Sequence, residues 1–565
     1  MEFGKEQLSD SSALKAKQYI VTQMYTERSK QEQTWQLLSR YIYPMRGRFH
    51  EEGGSREGQR RDQYLIDPYP MEAINKCAAG LHSGLTSPSR PWFELSLQDA
   101  EKAEMHNVRL WLNDAHDTMM SLYARSNTYA MLYSIEAEAA QFGTAAALML
   151  QDYNYGIWHR PYTCGEYCGG VDARGKVTSF SRRFEMNARQ LVNEFGLENV
   201  SEGARNAYKA NDITQRFAVE MLIEKNEKYD ANRLALGNFP WVSHYWERNR
   251  ADRFLKISGF HEQPFLMMRW LTVANEVYGT GPGHNALGNC MQLQKLERNK
   301  LRSTDNEADP AMVFPASMKK VDRNPGGLNF MPDGTQMTAY PLVPPGAKRY
   351  EGMVMLVNEK HQQIASTFYN DLLVMLSMQT TPQMTAREVA ERHEEKLLML
   401  GPVLEQFHNE VLEPLTLRTF GICLRNGLFP PMPEEITEAE LKVNFVSLLA
   451  QAQKMVEMPS IERVVGLAGN LAGIYPDIID NINPDEVIRK SALVNGTPEK
   501  IIRAAEDVEQ LRQQRAQAQQ AQAQAEEAAA AAAPVRDMAQ AARLMSETPV
   551  NGAGSALDEL LGGGL

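Results

Sequence analysis

Cysteine is scarce in this chain of 565 residues, which has five thiols: Cys77, Cys164, Cys168, Cys290 and Cys423. A low, odd count argues against a secreted disulfide scaffold and for a reducing compartment. Long apolar runs are missing too. The best stretch, Gly143 to Leu150, falls far short of the roughly 18 apolar residues of a membrane helix, so no membrane contact is expected. The start, Met1-Glu2-Phe3-Gly4-Lys5-Glu6, has no basic segment followed by an apolar one and does not read as a signal peptide. Positive charge is in deficit: 59 Lys and Arg against 71 Asp and Glu leave −12. That balance speaks against wrapping nucleic acid, because neutralising phosphates takes clustered Lys and Arg; it would still let a polyanion pass without sticking. With 43% hydrophobic and 23% charged residues, the chain can bury a core. Its length suits about three to five domains.

Motifs that carry chemistry are also missing or incomplete. The nearest approach to a phosphate-binding G-x-x-x-x-G-K-[ST] loop is Gly170-Val171-Asp172-Ala173-Arg174-Gly175-Lys176, but Val177 stands where the Mg²⁺-binding hydroxyl belongs. A β-like run follows instead of a helix, so Asp172–Gly175 reads as a hairpin turn. Cys164 and Cys168, near His159, lack the second ligand pair of a zinc site and read as ordinary thiols in a β region. Gly279-Thr280-Gly281-Pro282-Gly283 lacks the strand and spacing of a dinucleotide loop and reads as a tight turn aiming a helix. In His393-Glu394-Glu395 the second zincin histidine is replaced by Leu397, and no G-x-S-x-G elbow occurs. Thus no catalytic residue, metal ligand or cofactor is expected. The cluster Lys295, Arg298, Lys300 and Arg302, with Glu297 its one acid, is either a solvated helix face or a surface facing phosphate or a partner.

Periodicity gives the organisation. Helical spacing of Leu14, Tyr19, Met24, Trp35, Leu38 and Tyr41 predicts a helix over residues 9–43, ended by Pro44 and Gly47. A polar, Arg-rich loop over 53–62 follows, and then a mostly helical stretch over 68–150, interrupted at Thr86–Pro91. Alternating runs such as Val242–Trp246 and Phe265–Trp270 make 150–270 an α+β region with a helix at 188–195. Two long helices follow, 285–303 and 350–377. The second carries Tyr350, Val354, Val357, His361, Ile364, Phe368, Leu372 and Met375 along one face. The Pro- and Gly-rich segment between them, with β-like runs at Met312–Phe314 and Leu328–Phe330, forms a small domain at the tip of a helical stalk. After a loop over Met378–Met384, the capping box Thr385-Ala386-Arg387-Glu388 starts a third long helix, with kinks expected at Pro402 and Pro414. From Pro430 short helices are expected, with starts at Thr437–Glu440 and Asn483–Glu486. Residues 504–533 are helix-forming Ala, Gln, Glu and Arg without a large apolar side chain after Leu511, and Pro534 is expected to stop them.

Three segments in order around this helix–tip–helix hairpin resemble the portal, or head-to-tail connector, proteins of short-tailed bacteriophages. They are Ala78-Ala79-Gly80-Leu81-His82-Ser83-Gly84-Leu85-Thr86-Ser87-Pro88-Ser89-Arg90-Pro91-Trp92-Phe93-Glu94-Leu95; Tyr278-Gly279-Thr280-Gly281-Pro282-Gly283; and Thr385-Ala386-Arg387-Glu388-Val389, continuing through Leu412–Leu415 to Arg425–Pro430. The resemblance spans about residues 10–510. It implies an α+β, predominantly α fold assembled as a ring, typically of twelve copies, at one capsid vertex. Double-stranded DNA would enter and leave through the axial channel without sequence-specific reading. The implied partners are the terminase large subunit, tail adaptor and nozzle proteins, and the major capsid and scaffolding proteins. The implied place is the virion, with the host cytoplasm during assembly.

The implied division is a wing over 1–284, stem helices over 285–303 and 350–377, and a clip over 304–349. A tunnel loop would cover 378–384, a kinked wing helix 385–429 and a crown 430–510. An Ala/Gln helix over 511–533 would extend the crown as a barrel, followed by a disordered tail over 534–565. Gln379, Thr380, Thr381, Gln383 and Met384 would line the channel with uncharged side chains. Lys295, Arg298, Lys300 and Arg302 would position DNA or terminase, and Lys319, Lys320 and Arg323 would contact clip partners. Two other classes stay open: a capsid scaffolding or tail adaptor protein, which would lack the α+β region and the stalk, and a terminase-like enzyme, which would need a Walker motif.

Overall fold

The computed structural model describes residues 10–49, 62–97, 105–232, 237–308, 347–371 and 400–433, apart from single positions, together with 441–445, 505–547 and shorter pieces. They fall into two compact units, Met1–Glu457 and Met458–Leu565.

The first unit opens with α1 (Ser11–Tyr41), whose N-cap Asp10 accepts hydrogen bonds from the Ser12 and Ala13 amides, both at 3.0 Å. These bonds satisfy two of the orphan donors that every helix start presents. Next come α2 (Tyr69–Leu85), β1 (Phe93–Leu97), α3 (His106–Arg125) and α4 (Thr128–Phe142). Helix α4 is buried almost all round, which fits its apolar composition, and the left-handed Gly143 (φ 73°) ends it. The chain then turns straight into β2 (Thr144–Asp152). Here the structure corrects the helical expectation for 68–150: Thr144–Leu150 is largely apolar because it belongs to a central strand buried on both faces.

Strands β2, β3 (Gly156–Tyr162) and, further on, β9 (Phe265–Arg269) form a three-stranded antiparallel sheet in the order β3-β2-β9. Between β3 and β9 lies a five-stranded antiparallel meander: β4 (Tyr167–Val171), β5 (Val177–Asn187), β6 (Arg216–Lys225), β7 (Trp241–Glu247) and β8 (Lys256–Phe260). Helices α5 (Ala188–Phe195) and α6 (Glu202–Lys209) sit in the β5–β6 connection. The predicted helix at 188–195 is present and is closed by an Asn187/Gln190 capping box. The core is continuous across α1, α2, α4 and both sheets, with Trp35, Phe142, Phe180, Phe265 and Trp270 all at most 1% exposed.

Two antiparallel helices follow, α7 (Pro282–Ala308) and α8 (Ala347–Thr367). Between them only β10 (Met312–Val313) and β11 (Tyr340–Pro341) are described, and they pair with each other. Helix α7 is longer than the predicted 285–303, since Pro282 costs nothing in a first turn. Helix α8 ends ten residues before the predicted 377, and Tyr369 adopts a left-handed backbone (φ 57°). The tunnel-loop residues Gln379, Thr380, Thr381, Gln383 and Met384, the clip residues Lys319, Lys320 and Arg323, and His393 lie outside the described residues.

The described end of the third long helix is α9 (Gly401–Phe407), a π-helical turn at His408–Leu412, and α10 (Glu413–Arg425). Pro402 sits in the first turn of α9 and needs no kink. Pro414 has no N–H to donate, and the wider π turn immediately before it absorbs that loss. Strand β12 (Leu441–Phe445) then pairs with β1 over five residues. Leu441–Phe445 was expected within a run of short helices; its alternating Leu-Lys-Val-Asn-Phe pattern has the strand period. The predicted division at Pro430 therefore falls inside the first unit, which runs to Glu457.

In the second unit the predicted start at Asn483 is present: its side chain accepts from the Asp485 and Glu486 amides. Helix α11 (Ala505–Glu547) runs straight through Pro534 and is followed by β13 (Pro549–Val550) paired with β14 (Gly554–Ser555). The stop at Pro534 and the disordered reading of 534–565 are corrected at these positions. Strong helix formers on both sides outweigh one lost hydrogen bond.

Candidate functional site: the helical hairpin

The glycine turn aims the hairpin, as its sequence predicted. Leu271 and Thr280 form a backbone bridge, and the Gly279 amide donates to Thr144 Oγ1 at 2.9 Å. The turn lies directly on the C-terminal end of α4. A Cβ on Gly281 would come within 2.6 Å of the Ala139 carbonyl oxygen, and one on Gly283 within 2.1 Å of that of Gln141. Only glycine permits that approach. The direction of α7 is thus set by backbone-to-backbone packing against the buried central helix.

Along α7, Ala286, Cys290 and Leu293 are buried. On α8 the buried stripe is Val357 and Ile364, continued by Phe368 just past its end. Lys360 Nζ donates to Asn289 Oδ1 at 3.2 Å and ties the two helices. A joint that the sequence did not reveal holds the hairpin to the segment before α2. Gln294 Oε1 accepts from the Ile66 and Asp67 amides at 2.6 and 3.0 Å, while its Nε2 donates to the Asp67 carbonyl at 2.9 Å. Asp67 Oδ2 lies 2.7 Å from His361 Nε2, and the His361 ring stacks on Tyr69 at 4.0 Å. The one sequence signal was Asp67-Pro68, a polar residue and a proline at a helix start.

The four predicted basic residues do not share one face of α7. Lys295, Arg298 and Arg302 are exposed and share a face of α7 by helical spacing. Lys300 points to the other side, where it pairs with the buried Glu297 at 2.5 Å.

The other candidate motifs have structural roles. Asp172–Gly175 is the β4–β5 turn: Asp172 Oδ1 accepts from the Arg174 and Lys176 amides, and Gly175 is left-handed (φ 77°). Cys164 and Cys168 are buried, and neither is in a disulfide. Burial and the neighbouring Glu138 carboxylate push the Cys164 thiol far above its ordinary value, so it stays protonated and unreactive. His159, pushed down to about 3 by burial and by Arg418, is neutral and bonds Thr128 Oγ1 through Nε2 at 2.9 Å. Among the described residues no three His, Cys, Asp or Glu side chains are arranged to hold a metal ion, and no described helix is long and apolar enough to cross a membrane.

The decisive comparison is with a protein family. The family described as bacteriophage head to tail connecting protein matches residues 15–502. The chain belongs to that family. Among its relatives, a probable portal protein of Bordetella phage BPP-1 is 36% identical over 87% of this chain and 89% of its own length. The portal protein of Salmonella phage epsilon15 is 34% identical over 88% of this chain and 90% of its own length. A solved structure of the neck of an empty gene transfer agent particle overlaps 79% of this chain and 98% of its own at 12% identity; its TM-score is 0.33, and nothing here rests on it. As a head-to-tail connecting protein the chain is a virion component, with its place at the junction of head and tail.

Proposed function

We propose that this connector is a portal subunit. Copies of it, twelve in the ring that the family resemblance implies, close around an axial channel at one capsid vertex. Double-stranded DNA is driven in through that channel by the terminase, which docks from outside, and leaves through it on infection. Tail adaptor and nozzle proteins replace the terminase after packaging, and major capsid and scaffolding proteins surround the ring during assembly. The chain itself carries no catalytic step. In this reading α7 and α8 are the stem, the segment between them is the clip, Met378–Met384 is the tunnel loop and 430–510 is the crown, extended by the Ala/Gln helix over 511–533.

The observation that carries the reading is the combined match: 36% identity to one portal protein over 87% of the chain, and a family match over residues 15–502. The hairpin supports it, because a helix pair projecting from a rigid base suits the wall of a channel. The acidic balance of −12 supports it too, since a channel must not hold the DNA that slides through it. The test is electron microscopy and mass measurement of the purified chain. Annular particles with an open axis are expected. Monomers and dimers alone at every salt concentration would overturn the reading.

A further inference from the structure

The two stem helices carry opposite charge on their outward faces. On α7 the ridge is Lys295, Arg298 and Arg302, and no acidic side chain is exposed from Met291 to Thr304. Glu297 is buried against Lys300 and drops out of the outward charge. On α8 the ridge is Glu351, Met355 and Glu359; the described exposed positions of that helix include no lysine or arginine. Met355, at the centre of the ridge, is 73% exposed. By helical spacing each ridge lies on the side of its helix away from the buried stripe, so the hairpin has one basic and one acidic flank.

The two ridges overlap along part of the axis. Antiparallel helices tied at Asn289 and Lys360 place Arg298 level with Glu351. At 1.5 Å per residue, Lys295 to Arg302 spans roughly 10 Å and Glu351 to Glu359 roughly 12 Å. A rotation about an axis running along the stem would bring Lys295 and Arg298 of one copy level with Met355 and Glu351 of the next. Such a contact is heterologous and repeats until the ring closes.

We infer that Lys295, Arg298 and Arg302 of one copy dock on Glu351, Met355 and Glu359 of a second copy, making this charge pair the element that orients neighbouring stems. The inference rests on the portal reading and names the surfaces by which its copies meet. Complementary charge sets register and excludes wrong pairings more than it adds affinity. The exposed Met355 between two carboxylates supplies an apolar centre to be covered.

The test uses the full-length chain and counts annular particles by mass photometry and negative-stain imaging, with circular dichroism as the check on folding. One variant carries Glu351→Lys and Glu359→Lys. A second carries Lys295→Glu, Arg298→Glu and Arg302→Glu. Each alone should raise the protein concentration at half assembly at least tenfold in low salt while the helical spectrum stays unchanged. All five substitutions in one chain restore complementarity with reversed sign and should restore rings. Rings from either variant alone at the wild-type concentration overturn the inference and leave the portal reading intact. So does failure of the five-fold variant to assemble, or normal assembly with loss of DNA packaging only, which would turn the basic ridge toward DNA. If the wild-type chain forms no ring, it is the portal reading that fails.

Discussion

The side chain of Asn127 pairs with the backbone of His159 as a neighbouring strand would. Its Nδ2 donates to the His159 carbonyl at 2.7 Å, and its Oδ1 accepts from the His159 amide at 2.8 Å. Strand β3 is the edge of its sheet, and an open edge invites pairing with another chain. Pro161, two residues on, has no N–H to offer. Together they close an edge that also carries the exposed Tyr153, Tyr155 and Trp158 around its hairpin tip.

Asn127→Ala should therefore have two effects. Losing two hydrogen bonds to part-buried backbone costs about 1–3 kcal/mol. Denaturant unfolding of the variant measures that loss. The uncovered edge should also speed aggregation on heating, read by light scattering; unchanged scattering would assign Asn127 to local stability only.

Glu136 on α4 gives a pH dependence. It is buried, with Oε2 at 3.4 Å from His82 Nδ1 and Oε1 at 3.4 Å from Thr86 Oγ1. Burial pushes its carboxyl up to about 7, against the opposing pull of His82. An acid whose folded value is raised holds its proton longer when folded. Its stabilising effect is complete below its ordinary value of 4.5 and is lost as pH rises through 7. The difference corresponds to about 3 kcal/mol. Glu136→Gln should leave stability at pH 4 little changed and raise it at pH 8, so the gap in Tm between variant and wild type should widen steadily across that interval.

The Arg269–Glu410 pair joins β9 to the π turn. Arg269 Nε donates to Glu410 Oε1 at 2.7 Å and the Arg269 amide to Oε2 at 2.8 Å, while Nη2 donates to the Gly175 carbonyl at 2.8 Å. Arg269→Met should cost about 3 kcal/mol, because it leaves a mostly buried carboxylate with only Gln406 and the backbone amide of position 269 beside it. Adding Glu410→Leu should recover most of that loss. A double-mutant cycle in urea checks this; two simply additive losses would show that the residues are not coupled.

Gly143→Ala should fail by geometry. Its backbone is left-handed (φ 73°), and a Cβ there would meet the Gly279 carbonyl oxygen at 2.3 Å. Unfolding should shift by more than the roughly 1 kcal/mol of an unhindered glycine position. The glycine turn stacked on it should also become accessible to hydrogen exchange.

The sequence by itself determined the local elements and the family. Helical spacing in residues 11–41 and 188–195, the Asp172–Gly175 turn, the glycine turn before α7 and the two hairpin helices all depend on neighbours within a few positions, so periodicity and turn chemistry expose them. Tertiary structure decided what depends on distant partners. Thr144–Leu150 is a strand because β3 and β9 flank it, and Leu441–Phe445 is a strand because Phe93–Leu97 lies beside it. Whether an apolar run is helix or strand depends on what buries it, and periodicity alone does not distinguish the two. The basic cluster shows the same limit. Four residues close in sequence become three on an open ridge and one, Lys300, turned inward to Glu297, because a helix turns about 100° per residue and only the packed fold says which side is covered.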